Sequence, residues 1–318
     1  MAAFALLVSA CALPTSPAPV VADQPEGRGI VEGVEVAPSE ACLVSIDAAD
    51  APPPGLSNLS IESGGVTRSA ILRVPQGDGP HPVLVSLHAF TQSPDQWELY
   101  SGLADAALAR GYVVASPLGS QPGPRWAVPG GLELGADDVG FIADLLDRIE
   151  DRVCVDRNAE FAAGYSAGAA MAQALSCTMP WRFTAVAGSG GMNLTETCPG
   201  SPPTDVMTLH GTADPIAPPG GSYVVFSPPL GLPIQTVAST NAARAGCDPT
   251  AVESTPVDSV LASTWGGCDD SHRVTHWQML GAGHTWAGAD SLANDLVTGT
   301  TLDTFSATEV VLDFFDAA

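Results

Sequence analysis

A strand, a serine flanked by glycines and a helix follow one another between residues 160 and 176. This order constrains the fold more than any other feature of the chain. Residues 160–163 are a short, mostly apolar run typical of a strand, and residues 167–176 are helical by composition. Between them lies Gly164-Tyr165-Ser166-Ala167-Gly168. The glycines permit a sharp turn from strand to helix that lifts the serine above the sheet. The order therefore predicts that Ser166 is a nucleophile.

Short apolar runs alternate with helical patterns from about residue 65 onward. The alternation predicts a mostly parallel central sheet flanked by helices, without a large cap domain. The predicted strands cover residues 66–74, 83–87, 112–116, 160–163, 183–187, 206–210 and 276–280, and the predicted helices cover residues 97–110, 139–152, 167–176 and 307–315. Composition does not change after residue 50, so we expect one catalytic domain over residues 51–318. Residues 117–135, rich in Pro and Gly, are too long for a simple connection and are expected to line a site.

The chain carries a large negative charge. Of its 318 residues 45% are hydrophobic, enough to bury a sizeable core. The 35 Asp and Glu residues outnumber 11 basic residues, all of them Arg, and the net charge is -24. Such a surface repels phosphate groups, so we expect neither nucleic acid nor an anionic membrane surface as a partner.

The N-terminus predicts export. Residues 1–10 are almost wholly apolar, and Val8-Ser9-Ala10-Cys11 resembles the site at which bacterial lipoproteins are cleaved and acylated on the cysteine. We therefore expect a signal peptide over residues 1–10, a lipid anchor on Cys11 as the only membrane attachment, and a flexible tether and extension over residues 11–50. No basic residue precedes Arg28, whereas signal peptides begin with basic residues. Either the start is truncated or the assignment is wrong, and secretion without an anchor is the alternative.

Six further cysteines form an even set, which in an exported chain favours disulfides over buried free thiols. Two pairs with equal sequence separation are preferred, and the third pair follows from the two cysteines that remain. The expected pairs are Cys177 with Cys198, Cys247 with Cys268, and Cys42 with Cys154. The sequence contains no CxxC motif, which would have indicated zinc binding or redox chemistry.

A nucleophilic serine needs a base, an acid that orients the base, and donors for the oxyanion. In the chain order serine, acid, histidine, the acid and the base each follow a late strand. Asp214 lies in the loop after residues 206–210, and His284 lies in a glycine-rich loop after residues 276–280. We therefore predict that Asp214 and His284 complete a triad with Ser166.

Other acids and histidines are weaker candidates because they lack this placement. Asp214 alone among the acids directly follows a strong strand pattern, and His210 at a strand end is expected to be structural. The remaining alternatives are Asp205, Asp248, Asp258, Asp269, Asp270, His272 and His276, while His81 and His88 precede the serine.

Two backbone amides are expected to bind the oxyanion. One is the amide of Ala167, directly after the serine, and the other comes from the loop that follows residues 83–87. We assign the second donor to Phe90, with Ala89 and Thr91 as alternatives. This chemistry requires no metal or organic cofactor.

Several segments together resemble the bacterial polyhydroxybutyrate depolymerase and feruloyl esterase family, within the carbohydrate-esterase group of α/β-hydrolases. The segments are LVSLHAFTQ, ADDVGFIADLLDRI, GYSAGAAMAQALSCTMPWRFTAVAGSGG, HGTADPIAP and GAGHTW, and they span roughly residues 65–286. They resemble the family's oxyanion loop, the helix before the serine, the serine turn, the acid loop and the histidine loop.

The resemblance implies the α/β-hydrolase fold and the same triad, and it supports the two equally spaced cysteine pairs. It also implies that Trp126 and Trp286 present aromatic rings to the substrate, and Tyr165 beside the serine is expected to contact it too. Ala89 departs from the family, which usually has Gly there, so a methyl group that narrows the acyl pocket or tilts the oxyanion donor is expected.

These observations predict an exported, monomeric serine carboxylic-ester hydrolase that acts through an acyl-enzyme. The expected substrates are feruloyl-type esters, hydroxyalkanoate oligomers or related polyesters. A peptidase of the same fold and a non-catalytic, ligand-binding envelope lipoprotein are the alternatives.

Overall fold

A mostly parallel sheet with helices on both faces organises the part of the chain that the structure describes. The computed structural model describes residues 37–43, 52, 54–120, 123–131, 135–221, 231–290 and 295–318, all within one compact unit, Val31–Ala318. The predicted signal peptide and Cys11 lie outside these residues. Among the helices in the described ranges, none has the length and apolar character needed to span a membrane.

Five of the ten strands in the described ranges, β3, β4, β5, β7 and β10, are each followed by an α-helix. The strands are β1 Gly55–Ser63, β2 Val66–Val74, β3 His81–Leu87, β4 Val113–Pro117, β5 Val155–Tyr165, β6 Ala185–Ser189, β7 Asp205–Gly211, β8 Val252–Ser254, β9 Val260–Trp265 and β10 Val274–Met279. The helices are α1 Pro94–Ser101, α2 Leu103–Ala109, α3 Asp138–Glu150, α4 Ala167–Thr178, α5 Ile234–Arg244, α6 Asp295–Thr298 and α7 Ala307–Asp316.

All ten strands join one sheet in the order β1-β2-β4-β3-β5-β6-β7-β10-β9-β8. The six central strands from β4 to β10 pair in parallel, and the two strands at each edge pair antiparallel. The carboxyl ends of the parallel strands therefore meet at one edge of the sheet, where loops gather side chains from distant parts of the sequence. The predicted fold class, an α/β-hydrolase with a mostly parallel sheet, is confirmed.

Strand β3, in the middle of the sheet, is buried from Val83 to Leu87 because both faces of the sheet are covered. Val83, Val85 and Leu87 of β3 face a core shared with α3 and α4, whereas Leu84 faces a second core shared with α1, α2 and α7. A strand buried on both sides needs no polar alternation. This explains why residues 83–87 form a continuous apolar run in the sequence.

The structure departs from the predicted elements where local backbone geometry decides. The single helix expected over residues 97–110 is two helices, because Gly102 adopts φ 64 and ends α1. Strands β1, β8 and β9 and helices α5 and α6 were not predicted. Strand β1 alternates polar and apolar residues weakly and is paired through Gly64 and Gly65, whose positive φ angles suit a two-residue hairpin turn.

Three disulfides link parts of the described chain. The bonds join Cys42 to Cys154, Cys177 to Cys198, and Cys247 to Cys268, which are the pairs expected from the sequence. The first ties the segment 37–43 to the strand that carries the serine, and Ser39 adds hydrogen bonds to Val153 and Val155 beside it.

The loop that follows β4 is held by one buried carboxylate. Asp138 Oδ1 accepts hydrogen bonds from Arg68 Nη2 at 2.5 Å and Ser120 Oγ at 2.8 Å, and Oδ2 accepts one from the amide of Ala127 at 2.7 Å. This arrangement ties Ser120 and Ala127 to the start of α3, and the side chain of the adjacent Trp126 lies against the loop that follows β3.

We expect Asp138→Ala to destabilise the fold by about 3–5 kcal/mol, because it leaves the partly buried Arg68 charge and the Ala127 amide without their acceptor. Urea unfolding followed by circular dichroism measures the free energy of unfolding. Asp137→Ala is the matched control, since the neighbouring exposed Asp137 only caps α3 through the Gly140 amide and should cost about 1 kcal/mol. Equal losses in the two variants would contradict this account of the loop.

Candidate active site

Ser166 occupies the sharp turn between β5 and α4. Its backbone adopts φ 55 and ψ -118, a conformation that non-glycine residues rarely adopt, and its amide donates to the Ser189 carbonyl at 2.9 Å. A Cβ added at Gly164 would lie 2.4 Å from the Gly168 carbonyl carbon, and one at Gly168 would lie 2.1 Å from the Leu87 oxygen. The two glycines of the motif are therefore required by close backbone contacts around the serine.

The three side chains predicted to form a triad lie in one hydrogen-bonded line. His284 Nε2 is 2.8 Å from Ser166 Oγ, and His284 Nδ1 is 2.7 Å from Asp214 Oδ2. Ser166 follows β5, Asp214 follows β7 and His284 follows β10, so the parallel strands bring together residues that are far apart in the sequence. In this geometry the imidazole can take the serine proton while the carboxylate fixes its tautomer.

The carboxylate of Asp214 is buried and held from both sides. Its Oδ1 accepts hydrogen bonds from the amides of Ile216 at 2.8 Å and Ala217 at 2.6 Å. Because these two amides bind Oδ1, Oδ2 is available to His284. The amides also stabilise the negative charge of the carboxylate, although they carry no charge themselves.

The alternative acid and histidines from the sequence have other partners. Asp205, at the opposite end of β7 from Asp214, accepts from Arg273 and lies 2.8 Å from His272 Nδ1. His276 bonds to Thr208 inside the fold at 2.6 Å. None of these residues contacts the serine, and their partners assign them to structural roles.

The loop after β3 lies against the start of α4, as an oxyanion site requires. The Ala89 amide donates to Gln92 Oε1 at 3.2 Å, and the Thr91 amide donates to the Pro124 carbonyl at 2.7 Å. Within the described part of the chain, the amides of Phe90 and Ala167 have no acceptor. This difference favours Phe90 over Ala89 and Thr91 as the second donor, an alternative that the sequence left open.

His88 sets the direction of the Phe90 amide. Its Nδ1 lies 2.7 Å from the Ala89 oxygen, and its Nε2 accepts from the Gly119 amide at 3.0 Å, so the ring is neutral with its proton on Nδ1. Burial lowers the pKa of His88, which favours the same neutral form. Because the Ala89 carbonyl and the Phe90 N–H belong to one peptide plane, fixing the carbonyl also fixes the direction of the N–H. The Ala89 methyl packs in the core with α1 and α2, which argues against the expected narrowing of the acyl pocket.

The burial of Trp126, Trp286 and Tyr165 argues against the expectation that they contact the substrate. Both indole rings are 0% exposed. Trp126 Nε1 donates to the His88 carbonyl at 2.8 Å, and Trp286 Nε1 donates to Thr308 Oγ1 at 2.9 Å. Their aromatic type fits a substrate site, but neighbouring elements cover both rings and leave no face for a ligand.

Tyr165 is only 7% exposed and serves the histidine loop instead. Its hydroxyl donates to the His284 carbonyl at 2.6 Å, and its ring stacks on Trp97. The His284 amide donates in turn to the Thr298 carbonyl at 2.5 Å. These contacts fix the loop that carries the imidazole, so Tyr165 supports the site from behind.

Phe90 carries an exposed aromatic ring, whereas the sequence predicted a role only for its backbone amide. The Phe90 side chain is 51% exposed, in the loop that packs against the start of α4. An apolar residue within the predicted oxyanion loop was the available signal. Gln92 and Gly119 hold the same loop, through the Ala89 amide and through His88 Nε2. The sequence did not predict these contacts, because the first depends on the orientation of one side chain and the second joins residues that are distant in sequence.

Comparisons with known proteins point to esterases. No protein-family model matches the chain. Feruloyl esterase C of Emericella nidulans is 30% identical over 192 residues, which are 58% of this chain and 64% of that protein. Feruloyl esterase B of Piromyces equi is 30% identical over 234 residues, 68% of this chain and 42% of that protein. The chain thus spans less than two thirds of the length of these relatives.

A solved structure shares the fold of this chain. The acetyl xylan esterase from Aspergillus awamori superposes with a TM-score of 0.59 at 16% identity, over 82% of this chain and 100% of that chain. At this identity the likeness shows the fold, and the sequence relatives show the kinship. The chain is therefore an α/β-hydrolase related in sequence to the feruloyl esterases.

Proposed function

We propose that the protein hydrolyses carboxylic esters through an acyl-enzyme on Ser166. The observation that carries the proposal is the continuous hydrogen-bonded line from Ser166 through His284 to Asp214, at 2.8 and 2.7 Å. Beside it lie the amides of Phe90 and Ala167, for which the described residues offer no acceptor. These amides can bind the negative charge that develops on the substrate oxygen.

In the proposed reaction, His284 Nε2 takes the proton of Ser166 as Oγ attacks the ester carbonyl carbon. The carbonyl oxygen becomes an oxyanion that accepts hydrogen bonds from the Phe90 and Ala167 amides. His284 then gives its proton to the alcohol oxygen, the alcohol leaves, and an ester joins the acyl group to Ser166. Water repeats the sequence and releases the acid. Asp214 stabilises the imidazolium in both halves.

For the substrate, we propose an uncharged ester with an aromatic or extended apolar group, of which feruloyl-type esters are the first candidates. The names of the sequence relatives support this class, and the exposed Phe90 ring can stack on an aromatic group. Hydroxyalkanoate oligomers and related polyesters suit the same ring. The net charge of -24 disfavours polyanionic substrates.

The alternatives from the sequence receive less support. The relatives reported above are named as esterases, which favours an ester over a peptide bond. The completeness of the hydrogen-bonded line argues against a silent ligand-binding protein.

We also propose export, which the three disulfides support because such bonds persist in oxidising compartments. Acylation of Cys11 remains part of this proposal. Intact mass of protein extracted from bacterial membranes tests it: we expect loss of residues 1–10 and a lipid-sized mass increase, both abolished by Cys11→Ala. An unprocessed N-terminus in the wild type would contradict it.

Ser166→Ala should reduce kcat for methyl ferulate by at least about 10⁴-fold, because a triad without its nucleophile retains only binding and oxyanion stabilisation. Initial rates on methyl ferulate, hydroxybutyrate oligomers, p-nitrophenyl esters and peptide anilides measure the effect and the substrate class. Ser239→Ala is the control, since Ser239 lies exposed on α5. Full activity in the Ser166 variant would exclude the mechanism, and cleavage of anilides without esters would indicate a peptidase.

Phe90→Ala should raise KM for methyl ferulate about threefold to tenfold, the effect of losing one aromatic contact, while p-nitrophenyl acetate hydrolysis stays nearly unchanged. The substitution keeps the backbone amide, so it separates the ring from the oxyanion donor. Phe90→Tyr should preserve KM. Leu99→Ala truncates an exposed apolar side chain on α1 as a control, and an equal loss on both substrates in Phe90→Ala would contradict a role for the ring in binding.

A further inference from the structure

His210, at the end of β7, is a buried titratable residue that the proposed mechanism does not use. It is 1% exposed, and its Nε2 lies 2.7 Å from the carbonyl oxygen of Ala217. Ala217 is also the residue whose amide donates to Asp214 Oδ1 at 2.6 Å. Two side chains therefore hold the turn of residues 214–217. The Asp214 carboxylate binds the amides of the turn, and His210 binds the carbonyl of its last residue, Ala217.

A hydrogen bond from His210 to a carbonyl requires the proton on Nε2. The charged groups and histidines that face the ring are Asp214 in the turn, His284 in the loop after β10, and His276 on β10 itself. Burial lowers the pKa of His210, and the nearby His284 acts in the same direction. The ring is therefore a neutral donor that adds no charge beside the triad.

The other ring nitrogen of His210 shows that burial of this imidazole reduces stability. His210 Nδ1 is buried without a partner in the described part of the chain, and an unsatisfied buried polar atom reduces stability. An apolar residue of similar size would avoid that cost. Among the described residues, the hydrogen bond from Nε2 to Ala217 is the contact that distinguishes the imidazole from such a residue.

We propose that His210 is a positioning residue for Asp214, which holds the turn of residues 214–217 closed so that the carboxylate faces His284. The proposal rests on the proposed function. His210 Nε2 lies 3.7 Å from Asp214 Oδ2, beyond hydrogen-bonding distance. His210 therefore acts on Asp214 through the Ala217 carbonyl. The contact of Asp214 Oδ2 with His284 Nδ1 is shorter, at 2.7 Å, and His210 does not compete for it.

Two uncharged substitutions test whether His210 acts as a hydrogen-bond donor through Nε2. The side-chain amide nitrogen of Gln can occupy the place of Nε2, whereas that of Asn ends near Nδ1. We expect His210→Asn to lower kcat about tenfold to a hundredfold with KM almost unchanged, since a misplacement of about 1 Å at a catalytic group has such an effect. His210→Gln should stay within about fivefold of the wild type.

The pH profile and a proton resonance separate positioning from a merely structural role. In His210→Asn the acidic limb of kcat/KM should move to lower pH, because a poorly held Asp214 stabilises the His284 imidazolium less. The downfield resonance of the proton between His284 and Asp214 should broaden in the Asn variant and persist in the Gln variant. His276→Asn is the matched control, since it removes an equally buried imidazole that bonds to Thr208 and not to the turn.

Labelling of the serine with a fluorophosphonate distinguishes the two proposals. Wild-type labelling that is lost in Ser166→Ala supports the proposed nucleophile whatever the ester, and no labelling of the wild type would refute the proposed function. Wild-type labelling rates in a folded His210→Asn would overturn the positioning role. If that variant fails to fold, His210→Gln decides: a tenfold or greater loss with an unchanged unfolding midpoint would overturn the proposal, and near-normal kcat would support it.

Discussion

The close approach of β5, α4 and the loop after β3 at Ser166 is the constraint on which the rest of the site depends. The serine backbone is held in an unfavourable conformation, and the surrounding backbones approach so closely that neither Gly164 nor Gly168 can carry a side chain. A residue in such a conformation persists only where its surroundings over-determine it. Here those surroundings are the two cores on either side of the parallel sheet, which lock the strand and the helix before and after the turn.

Buried polar groups then fix the loops that the cores do not reach. Asp138 holds the Ala127 amide, Trp126 holds the His88 carbonyl, and His88 holds the Ala89 carbonyl next to the Phe90 amide. The Trp126 contact joins residues 38 positions apart in the sequence, and the Asp138 contact joins residues 11 positions apart. The orientation of one amide beside the serine therefore depends on a carboxylate at the start of α3.

The turn that carries Asp214 and the loop that carries the Phe90 amide are held in the same way. On one side a neutral imidazole, His88, fixes a carbonyl adjacent to the proposed oxyanion donor, and on the other a neutral imidazole, His210, fixes a carbonyl adjacent to the amides that bind Asp214. Neutral rings suit this purpose because they donate a hydrogen bond without placing a second charge next to the triad, where it would alter the proton transfer.

The sequence by itself determined the fold class, the residues of the hydrogen-bonded line and the cysteine pairs. Continuous apolar runs require a sheet covered on both faces, glycines around Ser166 permit one kind of turn, and the chain order of an acid and a histidine after late strands leaves few candidates. Only the tertiary structure decided that Trp126, Trp286 and Tyr165 are covered and that the Phe90 ring is exposed. It also decided that the Phe90 amide has no acceptor among the described residues, while the amides of Ala89 and Thr91 are hydrogen-bonded. The physical reason is that strands and turns follow from residues near in sequence, whereas burial of a ring and the partner of an amide depend on which distant segment packs against them.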